Sequence, residues 1–160
     1  MAAVSGKMRA LLQGFVDARV DVPELFARAE KLLPKGSDAG EEILELLAEA
    51  ELRLTLTGGR KPFVHRLEQF ASGESSFTEL ALWSFSLGQT SLLAPDAPTS
   101  PNPEVNLLRT LVEWIDQWDD EAVRPTAAQV QELAGILQRE SDPARCRAQL
   151  EQALERFGSN

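Results

Sequence analysis

The chain has 160 residues, 43% of them hydrophobic and 26% charged, with a formal net charge of −9 at pH 7. A chain of this length fits one ordinary domain and buries roughly 70% of its unfolded surface on folding, so a full core forms without staples. Its acidic balance argues against a nucleic-acid binder, which needs clustered lysine and arginine, and its charges are too well mixed with leucine and alanine for a disordered chain.

Helical punctuation recurs along the chain and no stretch sustains a period of two, so the pattern predicts an all-α bundle of about eight helices built from helical hairpins. Helix 1 is expected over Lys7 to Ala18, with Leu11, Leu12 and Phe15 as its apolar stripe. Helix 2 opens at Asp21 with D-V-P-E, the pattern of a capping box in which Asp21 accepts from the backbone and Glu24 reaches back. Its stripe is Leu25, Phe26, Ala29, Leu32 and Leu33, and Pro34 stops it. Helix 3 opens at Asp38 with D-A-G-E and is expected to run through Ile43, Leu46, Leu47, Ala50 and Leu54 to a stop at Gly58. Helix 4 starts at Pro62, which a first turn tolerates. Ser76 opens helix 5 through S-F-T-E, followed by Leu80, Trp83, Phe85 and Leu87.

The segment from Ala94 to Pro103 holds four prolines and reads as a loop. It divides a single all-helical domain, residues 1–160, into a five-helix part (1–93) and a three-helix part (104–160). In the second part, helix 6 follows Asn102 and Pro103, helix 7 follows Thr126 with T-A-A-Q, and helix 8 follows Asp142 and Pro143 and closes at Gly158. An internal echo appears at a shift of 55: Leu12, Phe15, Ala18, Glu24 and Leu25 fall on Leu67, Phe70, Gly73, Glu79 and Leu80. Similarity between any two helical hairpins accounts for it, and it suggests that helices 1–2 and 4–5 pack as similar hairpins around helix 3.

Residues 61–125 carry 4 basic and 10 acidic side chains and so concentrate the negative charge. Within them, the stretch E-W-I-D-Q-W-D-D-E from Glu113 to Glu121 places five carboxylates and two tryptophans in nine residues. On a helical wheel Leu108, Leu111, Val112, Ile115 and Trp118 share one arc, with Leu107 and Trp114 at its margin, so the tryptophans read as packing. Glu113, Asp116 and Asp120 lie opposite, with Arg109 placed to pair with Glu113. Helix C-termini carry partial negative charge and favour cations, yet this one ends in Asp116, Asp119, Asp120 and Glu121. Either Asp119 or Asp120 caps a following turn and Arg124 relieves the remainder, or the cluster is a recognition surface for a basic protein. Glu113, Asp116, Asp120 and Glu121 are the candidate partner-binding residues.

Catalytic constellations are weaker. Glu42-x-x-Glu45 and Glu113-x-x-Asp116 have the form of the carboxylate pairs with which all-helical nucleotide pyrophosphohydrolases hold Mg2+, but the gap between them is long and crosses the proline-rich loop. His65 is the sole histidine, which rules out a histidine metal cluster. Cys146, the sole cysteine, forms no intrachain disulfide and fits a reducing compartment; at the start of helix 8 it reads as packing. The run Thr57 to Pro62, T-G-G-R-K-P, places two cations before a helix start, where an anion can sit. No catalytic residue, metal site or cofactor is assigned. No apolar run approaches the eighteen or so residues of a membrane span, and a cytoplasmic protein is expected.

The segment L-L-Q-G-F-V-D-A-R-V-D-V-P-E-L-F resembles the opening of bacterial self-protective, colicin-type immunity proteins, which show F-V-x-G-x-I before a capped helix with E-F or E-L. The matching positions are Phe15, Val16, Ala18, Val20, Glu24 and Leu25, and the likeness spans residues 10–87. Ala18 stands where that pattern has glycine, the chain continues for three further helices, and no toxin-contacting residue is matched individually. The resemblance implies a non-enzymatic acidic bundle that covers the basic active surface of a toxin nuclease. A scaffold or adaptor domain and a metal-dependent pyrophosphohydrolase are the alternatives.

Overall fold

The computed structural model describes residues 6–48, 54, 56, 59–88 and 102–158. They form eight helices: α1 (Gly6–Val16), α2 (Val22–Leu32), α3 (Ala39–Ala48), α4 (Lys61–Ser72), α5 (Phe77–Leu87), α6 (Pro103–Gln117), α7 (Ala127–Arg139) and α8 (Pro143–Gly158). No β-strand occurs among the described residues, and the fold is an all-α helical bundle. Most of the predicted starts coincide with observed N-caps. Ser76 accepts from the Glu79 amide, Asn102 from Glu104, and Thr126 and Gln129 close a full capping box. Ala50, Gly58 and the prolines at 95, 98 and 101 lie outside the described residues. Leu54, expected in helix 3, is fully buried but is not helical.

The most extensive helix contact is α4 against α7, so the N-terminal helices meet the C-terminal ones directly; α5 also packs on α6, and α6 and α7 on α8. One apolar cluster runs from Met8 in α1 to Ala153 in α8. Phe63 and Trp83 meet edge to face at 5.0 Å within it, a favoured aromatic geometry. The hairpins α1–α2 and α4–α5 touch through α1 and α5, while α3 packs chiefly on α2. Helix 3 is therefore a flank of the first hairpin and not an axle between the two.

The turn after α1 departs most from the reading of its sequence. The helix ends at Val16, and Ala18 adopts φ 61, the left-handed conformation that Gly73 takes at φ 84 in the equivalent turn after α4. The Gly14 carbonyl accepts from the amides of Arg19 and Val20, which folds the chain back on itself. A Cβ on Gly14 would meet the Val20 side chain at 3.0 Å, so any larger residue there makes Val20 give way by a few tenths of an ångström. Asp21 forms no capping bond to α2, and Glu24 pairs with Arg28. The Asp21 carboxylate turns instead to α4, accepting from Arg66 at 3.0 Å and Gln69 at 3.2 Å.

Arg66 is buried, and its guanidinium also donates to the carbonyls of Phe15 and Val20 and lies over the rings of Phe15 and Trp83. Trp83 donates its indole N–H to the Val16 carbonyl at 3.0 Å. The Val16 carbonyl at the end of α1 and the Val20 carbonyl in the turn after it are thus closed by side chains of α5 and α4, while the Phe15 carbonyl also accepts from the Ala18 amide. Burial pulls Arg66 below the usual arginine value while Asp21 opposes the shift, and a guanidinium stays charged at neutral pH all the same.

Two outcomes test this turn. Ala18→Gly relieves the left-handed strain and should raise stability by about 0.5–1 kcal/mol in denaturant unfolding; a loss would show that the strain is absent. Arg66→Met should lower it by about 2–4 kcal/mol, because buried carbonyls lose their donors. The bonds from Gln69 and Arg66 hold the Asp21 carboxyl below its ordinary value of 3.8. Its contribution is therefore present above that pH and lost as the pH falls through the depressed value. The acid limb of the melting profile should be shallower in Asp21→Asn than in the parent.

Candidate functional site

Helix α6 turns Val105, Leu107, Leu108, Leu111 and Ile115 inward, and Trp118 at its C-cap is 4% exposed. Val112 and Trp114 are half-buried against the same core. This is the face expected from the wheel. Glu113, Asp116, Asp119, Asp120 and Glu121 are exposed, and among the described residues none of the five enters an ion pair, including the expected one between Arg109 and Glu113.

Electrostatic relief of the helix end comes from farther along the chain. Arg124 donates to the Trp118 carbonyl at 2.8 Å and the Asp119 carbonyl at 3.4 Å, and its guanidinium carbon lies 3.9 Å from the centre of the Phe77 ring. A cation thus closes the negative end of α6 and fastens it to the start of α5. Asp120 caps the following turn by accepting from the Ala122 amide, whereas Asp119 makes no such bond. The carboxylates stay at the surface without being needed to finish the helix, apart from that of Asp120.

Between α5 and α6 lies a groove of about 270 Å³. The structure brings Glu113 and Asp116 to it, adds Asp119, and leaves Asp120 and Glu121 outside its lining. Its apolar wall includes Ala81, Val112 and Phe85, and Phe85 is 46% exposed. Phe85 groups in the sequence with Leu80, Trp83 and Leu87 as the apolar residues after Ser76, and it alone of the four is exposed. The signal for this was present in the spacing, since Leu80, Trp83, Ser84 and Leu87 follow the i, i+3, i+4, i+7 rule and are buried, and Phe85 falls off that stripe.

Two other grooves carry walls of mixed sign. One, between α6 and α8, presents Trp114 and Phe157 beside Arg124, Arg147 and Glu151. The second, between α4 and α7, places Lys61 and the exposed His65 beside Glu68 and Glu104. Arg60, the suggested anion-holding cation, is already occupied. It forks onto Glu104 at 2.5 and 3.0 Å and donates to the carbonyls of Leu137, Glu140 and Ser141 at the end of α7. The anion at this helix start is thus the protein's own Glu104, whose hydrogen bond holds Arg60 above the ordinary arginine value.

Among the described residues no group of three or more His, Cys, Asp or Glu side chains could hold a metal ion, so Glu42 and Glu45 on α3 are not joined with Glu113 and Asp116 on α6. Cys146 is fully buried, and burial pushes its thiol above the ordinary value, the direction opposite to activation. No described helix is long and apolar enough to cross a membrane. The geometry defines an all-α bundle with an acidic, partly apolar groove beside the end of α6. No family model, curated protein or solved structure matches the chain.

Substitutions separate framework from surface here. Trp118→Ala should cost about 3–5 kcal/mol, and Arg124→Ala about 1–2 kcal/mol through the lost cap and ring contact. Glu113→Gln or Asp116→Asn should change stability by less than about 0.5 kcal/mol. Chemical denaturation measures all four, and a large loss in either carboxylate variant would place that residue in the framework.

Proposed function

We propose that this protein is a non-enzymatic binder that captures a basic protein partner at the end of α6, with neutralisation of a toxin nuclease as the specific form. The observation that carries the reading is the set of exposed carboxylates at a helix end, Glu113, Asp116, Asp119, Asp120 and Glu121, which enter no ion pair within the described residues. Like charges gathered at the negative end of a helix oppose local stability. Their field is useful to an approaching cationic surface, since fields of one sign accelerate encounter. The toxin form rests on the resemblance of residues 10–87 to colicin-type immunity proteins, which cover a basic catalytic surface with an acidic helical bundle.

Affinity capture from native extract would supply the partner, and stopped-flow mixing at two salt concentrations then reads the association rate. The triple variant Glu113→Gln, Asp116→Asn, Asp120→Asn should associate about tenfold more slowly at low salt, with a smaller salt dependence than the parent. Its melting temperature should be unchanged or slightly raised, since asparagine at 120 keeps the oxygen that caps Ala122. An association rate equal to that of the parent would move the binding face elsewhere, to α2 and α3.

A further inference from the structure

The groove between α5 and α6 differs from its two neighbours in the sign of its walls. Glu113, Asp116 and Asp119 stand at its edge, no cation among the described residues lines it, and Ala81, Val112 and Phe85 supply its apolar surface. At about 270 Å³ it falls just short of the roughly 300–1,000 Å³ typical of small-molecule and cofactor sites. That space suits one or two side chains of a protein partner. Phe85 is among the few large apolar side chains left exposed within the described residues, and it lines the same groove as Glu113, Asp116 and Asp119.

We propose that this groove receives an arginine of the basic partner, its guanidinium stacked on the exposed ring of Phe85 and paired with the carboxylates of Asp116 and Asp119, and its alkyl stem along Val112. The inference rests on the binding role above and names the chemistry that the acidic surface reads. Charge complementarity selects a cation, and the exposed ring selects which one. A guanidinium is planar, weakly hydrated, stacks on aromatic faces and forks onto carboxylates, whereas the lysine ammonium is a strongly hydrated point charge. The same pair of helices already holds one guanidinium against a ring, for Arg124 lies over Phe77 of α5 while it donates to backbone carbonyls at the end of α6. Phe85 offers a second α5 ring beside α6, left open to a partner's arginine.

The test is an amide-resonance titration of the full chain with the capped peptide Ac-Ala-Arg-Ala-NH2, run beside its lysine and norleucine counterparts. The arginine peptide should shift the amides of Ala81, Phe85, Val112 and Asp116 saturably. The lysine peptide should bind at least about fivefold more weakly, and the norleucine peptide should leave these amides unmoved. Phe85→Ala and Asp116→Asn should each weaken the arginine peptide by about fivefold while the melting temperature holds, both side chains being exposed. Equal binding of arginine and lysine, shifts confined to Asp120 and Glu121, tight binding of norleucine, or no saturable shift each overturn the proposal. Failure here with a charge-dependent partner association intact removes the arginine pocket and leaves the binding role; failure of that association with the peptide result intact does the reverse.

Discussion

The buried guanidinium of Arg66 closes the end of α1 from another helix, and much of the N-terminal half follows from that one contact. It gathers the carbonyls of Phe15 and Val20 and the Asp21 carboxylate around a single cation, while Trp83 takes the Val16 carbonyl. A helix end buried without partners would carry several unsatisfied acceptors, each costing on the order of 1–3 kcal/mol. Because the donors come from α4 and α5, the first hairpin finishes its own hydrogen bonding only when the second is in place. Local structure and tertiary packing are therefore coupled at this turn.

The same solution recurs elsewhere in the bundle. Arg124 closes α6 and Arg60 closes α7, and Arg60 also joins the starts of α4 and α6 through Glu104. Three arginines thus sit at three helix C-termini, where the backbone dipole favours positive charge. Their consequence reaches the surface. Cations drawn inward to finish helices no longer neutralise the exterior, and the carboxylates at the end of α6 enter no ion pair among the described residues of a chain of net charge −9. The acidic character of the surface at the end of α6 follows from how the framework uses its basic residues.

The paired hairpins show how one pattern serves two ends. Ala18 and Gly73 occupy equivalent left-handed positions, and Asp21 and Ser76 equivalent N-caps. Ser76 caps its own helix, whereas Asp21 is drawn to Arg66 and leaves α2 without a side-chain cap. A charge-assisted bond to a guanidinium is roughly twice as strong as a neutral one, which accounts for the choice. The first turn therefore gives up a local bond and accepts a strained alanine for a contact between hairpins.

Helix number, most helix starts and the inward face of α6 were legible in the amino-acid order, because capping residues act within four positions and burial follows the helical period. The candidate carboxylates Glu113, Asp116, Asp120 and Glu121 were legible as an exposed acidic cluster for the same reason. What the order did not disclose was the fate of individual polar groups. Asp21 read as a cap and Arg60 as an anion holder, and nothing in the order marked Arg66 as a buried donor. Each is decided by partners 44 to 81 positions away along the chain. The groove that joins Phe85 to Asp116 and Asp119 was likewise decided by the packing of α5 on α6. Propensity and capping are local, and so are written in consecutive residues; a hydrogen bond between distant segments exists only once the core has brought them together.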